Sequence, residues 1–107
     1  MRRLALFTLL LALVLSCKEK AAWEKKPLTE PGERTYQLEG VIVSRDEGSN
    51  TVMVRHEKID GLMEAMTMDF SVRGAAVIAL PPDNIRIAAT LHVLPDAYWL
   101  TSIRKTP

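Results

Sequence analysis

A chain of 107 residues has room for one small domain, and its 14 basic and 13 acidic residues, formally +1, advertise no basic surface for nucleic acid. Loss of a leader containing Arg2 and Arg3 would leave 12 basic residues against 13 acidic ones, a formal −1. The single cysteine, Cys17, excludes an intramolecular disulfide and any Cys-x-x-Cys pair for zinc or thiol exchange, so soft metal ligation must rest on the five methionines.

Met1-Arg2-Arg3 is a positive start, followed over residues 4–15 by an apolar run interrupted by Thr8. That is the length of a signal h-region and short of the roughly 20 residues a spanning helix needs. The run ends in Val14-Leu15-Ser16-Cys17, which resembles a bacterial lipobox. Residues 1–16 are therefore expected to be a signal peptide and Cys17 the lipidated first residue of an exported, membrane-anchored protein. An ordinary cleaved signal with an incidental cysteine would export the domain equally. Residues 17–35 are polar and irregular, with Pro27, Pro31 and Gly32, and read as the lipidated cysteine and a flexible tether, in which Trp23 is a loose interfacial aromatic. Residues 36–107 are then the folded domain.

The first strand is expected over residues 36–45. Tyr36 and Leu38 share one face whereas Val41 and Val43 fall on the opposite phase, so a bulge and bend are expected at Gly40. Asp46-Glu47-Gly48-Ser49-Asn50 has turn chemistry, and residues 51–56 form the second strand with Val52, Val54 and His56 on one face. A loop bent at Gly61 leads to a third strand over residues 66–72, on which Met66, Met68 and Phe70 share a face. A rival reading exists, because Ile59, Leu62, Met63, Met66 and Phe70 also sit at helical spacing; Met68 falls off that stripe and Gly61 weakens it. Residues 75–80 suit a helical turn and residues 81–84 a loop turn. Residues 85–94 alternate clearly, with Ile85, Ile87, Ala89, Leu91 and Val93 on one face. His92, on the other face, reads as solvated. Pro95-Asp96 turns into a last strand over residues 98–103, where Trp99 reads as core or rim packing.

Five short strands in so little chain predict an all-β fold, a small five-stranded OB-like barrel preceded by the leader and tether. In such a barrel the inward residues of the second and third strands meet near one end, which would bring His56 beside Met66 and Met68. Two thioethers and an imidazole form a neutral, soft donor set that favours Cu(I) or Ag(I) over harder cations.

The segment His-Glu-Lys-Ile-Asp-Gly-Leu-Met-Glu-Ala-Met-Thr-Met-Asp-Phe, residues 56–70, resembles the CusF-like copper-binding family, small OB-type barrels that handle Cu(I) and Ag(I) in the periplasm. The resemblance covers about residues 36–103. It implies that His56, Met66 and Met68 are the metal ligands. Well-known members carry a tryptophan cap three residues before the first methionine; Met63 stands there in this chain, so an auxiliary role as fourth thioether or aliphatic lid is implied. The same wording resembles the copper-binding segment found beside Sco/SenC-type domains, which help deliver copper to cytochrome oxidase, with Glu64 and Asp69 where those relatives often have proline.

The expected function is a lipid-anchored, monomeric Cu(I)/Ag(I) metallochaperone or buffer that passes metal to an efflux pump or an oxidase-assembly factor. The alternative is an OB-type lipoprotein that binds a protein or peptide, with the methionines packed in its core. An enzyme is not expected, because no polar triad can be assembled and Asp60, Glu64 and Asp69 read as a solvated rim. Single-strand nucleic-acid binding would need a basic groove with stacking aromatics.

Overall fold

A computed structural model describes residues 22–107. The expected signal peptide and the lipidation site Cys17 lie outside the described residues. Five strands, β1 (Arg34–Asp46), β2 (Thr51–His56), β3 (Met66–Val72), β4 (Arg86–Leu94) and β5 (Ala97–Lys105), close into a barrel in the order β1-β2-β3-β5-β4. All neighbours are antiparallel except β3 and β5, which join in parallel only at Ser71↔Trp99 and Val72↔Leu100. The long β1 serves two neighbours: Arg34 to Val41 pair with β4, and Gly40 to Asp46 with β2. The fold is the expected small OB-like barrel.

Alternation along the strands sends Leu38, Ile42, Val52, Val54, Phe70, Val72, Ile87, Ala89, Leu91 and Leu100 into one core. Val77, in the 3₁₀ turn Val77–Ala79 where a helical turn was expected, joins that core. Asn50 fastens this turn, donating to the Val72 and Ala75 carbonyls while its own carbonyl accepts from the Val77 N–H at 2.9 Å.

The expected bulge at Gly40 is displaced. Leu38, Gly40 and Ile42 are all buried, so alternation runs unbroken through the glycine, and the register shift against β2 lies between Ile42 and Ser44. Gly40 is needed for a different reason. A Cβ there would lie 2.2 Å from the Arg55 carbonyl oxygen and 2.7 Å from the His56 Cα, so only glycine lets β1 approach the end of β2.

The helical reading of residues 59–70 fails because the chain closes a tight loop before it can turn into a helix. Ile59 and Met63 bridge, the Ile59 N–H donating to the Met63 carbonyl, with Gly61 at φ +77°. Met66 then opens β3 in extended form.

The solvated reading of His92 is also corrected. Its side chain is buried, with Nδ1 2.6 Å from Glu33 Oε2, Nε2 2.7 Å from Thr101 Oγ1, and its ring stacked on Trp99 at 5.2 Å. The polar face of β4 and β5 is covered because residues 27–33, expected as tether, lie across it. The Trp99 indole N–H donates to the Leu28 carbonyl, and Arg73 sits 3.8 Å over the same ring while donating to the Pro27 carbonyl and to Glu30. Trp99 is thus packing, as expected.

Candidate metal centre

The β2/β3 register sets His56 directly opposite Met66, Val54 opposite Met68 and Val52 opposite Phe70. Opposed residues hold their Cβ atoms about 4.5–5.5 Å apart on one face, close enough for an imidazole and a thioether to share a ligand. His56 ends β2 and Met66 begins β3, so the pair stands at one end of the barrel, where the core gives way to solvent. Met66 is 46% exposed, while Met68, two residues deeper, is half-buried against the core. Phe70, buried two residues beyond Met68 on the same face of β3, meets the His56 ring edge-on, with centroids 5.8 Å apart. Met63 is half-buried against the core in the loop that joins β2 to β3. Of the sequence-predicted ligands, His56 and Met66 are paired across two adjacent strands, Met68 follows on the same face of β3, and Met63 lies in the loop that joins them.

His56 carries the most informative geometry. Its Nδ1 lies 2.8 Å from the main-chain carbonyl of Glu57, a group that can only accept, so Nδ1 donates and the neutral ring keeps its lone pair on Nε2. That Nε2 is buried without a partner, the only such side-chain nitrogen or oxygen among the described residues. An orphaned buried acceptor is costly, and a neutral imidazole nitrogen with a free lone pair is chemically able to coordinate a metal.

The Glu57 carbonyl is held in turn. The Glu57 N–H donates to the Glu39 carbonyl at 2.9 Å, and its carboxylate pairs with Arg86, which also holds Glu39 at 2.8 Å. The hydrogen bonds Arg86 donates to the Glu57 and then the Glu39 carboxylate push its pKa further above its ordinary value, so the guanidinium stays charged. Sequence reasoning missed Glu57, since a main-chain carbonyl leaves no signature in residue type. Gly40 did carry a signal, though its meaning was close approach.

Asp60, Glu64 and Asp69 are exposed, as the rim reading expects. Among the described residues no three His, Cys, Asp or Glu side chains converge to hold an ion. The donors near this mouth, the His56 imidazole and the Met66 and Met68 thioethers, are of the soft, neutral kind that favours Cu(I) or Ag(I) over calcium, magnesium or zinc.

A closed five-stranded OB-type barrel with a histidine and a Met-x-Met pair at its mouth defines the class of small soft-metal-binding barrels. Residues 35–105 match the family model described as copper binding periplasmic protein CusF, and the chain belongs to that family. Among solved structures, metal-free CusF from Escherichia coli is 17% identical, with a TM-score of 0.63 over 77% of this chain and 99% of that one. CusF from Escherichia coli with Ag(I) is 17% identical, with a TM-score of 0.61 over 74% of this chain and 100% of that one. A Cu(II)-bound variant of the same protein is 16% identical, with a TM-score of 0.58 over 76% of this chain and 100% of that one. No curated protein sequence matches the chain.

Proposed function

We propose that this protein is an exported, lipid-anchored carrier or buffer of Cu(I) and Ag(I). His56 Nε2 and the thioethers of Met66 and Met68 are the ligands, and Met63 is an auxiliary thioether or lid. The observation that carries the reading is the unpartnered His56 Nε2 opposite Met66. A core role for Met66 is disfavoured by its 46% exposure, since a core filler would be covered.

Neutral ligands at an open mouth allow stepwise exchange. An acceptor's soft donors can replace Met66 first and the buried histidine last, so metal passes without being released to solvent. The acceptor would be an efflux pump or an oxidase-assembly factor at the same membrane, with anchoring through Cys17. Titration of the full chain with Cu(I) under reducing conditions tests the binding, with one equivalent bound as the expected outcome and none as the contrary one. Fractionation of Cys17→Ser tests the anchor: release from membranes is expected, and retention with unchanged processing would refute it.

A further inference from the structure

The His56 Nδ1–H is bound to the Glu57 carbonyl, so whatever aims that carbonyl decides which ring nitrogen is left free. The Glu57 N–H alone does not aim it. That group donates to the Glu39 carbonyl and fixes the peptide plane between residues 56 and 57, whereas the Glu57 C=O belongs to the next plane and can turn about its Cα–C bond. Two further anchors limit the turn. The Glu57 carboxylate is tied to Arg86, and two residues along the chain the Ile59 N–H donates to the Met63 carbonyl.

Arg86 is itself fixed in place. It opens β4 paired with Val41 of β1, and its carbonyl accepts from the Thr106 N–H at 3.1 Å. Its Nη2 holds the Glu39 and Glu57 carboxylates together, so one nitrogen joins β4, β1 and the residue that follows β2. Gly40, the next residue after Glu39, lies opposite His56 and lets β1 approach the end of β2. All three charged side chains are exposed, and exposed ion pairs add little to global stability. Their effect is local, on the direction of one peptide group.

We infer that Arg86 is a positioning residue for the metal centre: by clamping Glu57 it aims the carbonyl that holds the His56 Nδ1–H, and so keeps Nε2 as the free nitrogen. Its bearing on metal affinity rests on the Cu(I)/Ag(I) reading above; its bearing on the tautomer does not. Positioning and simple charge predict opposite signs. Removing a cation near the site and leaving two carboxylates unpaired should, by Coulomb attraction alone, tighten the binding of another cation. Loss of an outer-shell partner should weaken it.

The test compares the full chain in detergent with Arg86→Leu, which keeps an aliphatic stem and removes the donors, with Glu57→Ala, which removes the clamp from its other end, and with the double variant. Long-range ¹H–¹⁵N correlation of the neutral imidazole reads the tautomer in metal-free protein, competitive titration reads Ag(I) affinity, and urea melts read stability. The parent should hold the Nδ1–H tautomer, and each single variant should show a mixture of the two tautomers at a parent-like urea midpoint. Ag(I) should bind each about tenfold more weakly, the low end for loss of an outer-shell partner. The double variant should bind no more weakly than the weaker single one, because both changes break the same contact. The inference is overturned if the variants keep the parent tautomer, if they bind Ag(I) as tightly as the parent or more tightly, or if the two effects add. A tautomer lost only together with the urea midpoint would make Arg86 a residue of the fold and overturn it as well. A parent that binds no Ag(I) would instead defeat the metal reading, and the tautomer comparison on metal-free protein would still decide the clamp.

Discussion

His56 and Met66 face each other across β2 and β3, the last residue of one strand against the first residue of the next. The pair spans the boundary between core and solvent: the histidine is 2% exposed and the methionine 46%. A site built on two paired strands is more rigid than one built on loops, because ladder hydrogen bonds fix the separation of the donors. In the proposed centre the buried imidazole would be the fixed ligand and the exposed thioether the one that an acceptor displaces.

Met66→Ile and Met68→Ile are expected to separate coordination from packing. The exchange keeps volume, so each variant should lose less than about 1.5 kcal/mol of stability. Each should bind Cu(I) more weakly by more than about tenfold, the low end for loss of even an outer-shell partner of a metal site. Denaturant melts and competitive Cu(I) titration check this. Variants that melt early but bind normally would assign the methionines to the core.

Met63→Leu tests the auxiliary thioether. Leucine keeps the bulk against the core but removes the sulfur. A fourth ligand predicts weaker Cu(I) binding and one sulfur fewer in X-ray absorption spectra, whereas a lid predicts no change in either.

Gly40→Ala is expected to be far more harmful than a surface Gly→Ala exchange. The new Cβ would meet backbone at 2.2 Å, an obstacle no side-chain rotation relieves. A loss of about 1–3 kcal/mol is expected from such overpacking. Metal affinity should fall with it, because His56 must move with the Arg55 carbonyl. A variant with parent-like urea midpoint and Ag(I) affinity would contradict the close approach.

Acid should loosen the strap formed by residues 27–33. Burial pushes the Glu33 carboxyl up, but the Glu30 N–H, the His92 ring and the Arg73 charge together outweigh it, and its pKa lies below the ordinary 4.5. A depressed carboxyl contributes stability above its unfolded value, and that contribution is lost as pH falls through the lowered folded value. Glu33→Gln should therefore be less stable than the parent at neutral pH, with the gap narrowing below about pH 4.5. Chemical melts of both proteins across this range check it; a gap independent of pH would remove the carboxylate from the strap's energetics.

Local pattern made much of this legible in the sequence. Alternation in residues 51–56 and 85–94, with turn chemistry at Asp46 and Pro95, located β2 and β4 to within a residue, and shared parity put His56, Met66 and Met68 on one face. What escaped depends on segments far apart in the chain. His92 looked solvated because its cover, Glu33, lies 59 residues away and within a stretch whose composition reads as linker. The parallel β3/β5 seam follows from barrel closure, which no local period encodes. Gly40 drew notice as a break in pattern, yet its cause was the backbone of another strand.

The central claim is that His56 presents Nε2 to a soft metal while Nδ1–H stays bound to the Glu57 carbonyl. Long-range ¹H–¹⁵N correlation of the imidazole during Ag(I) titration tests it most directly. Metal-free protein should show the Nδ1–H tautomer, and one equivalent of Ag(I) should shift Nε2 while Nδ1 remains protonated, with His92 unchanged. An imidazole that ignores Ag(I), or one that binds it through Nδ1, would contradict the account.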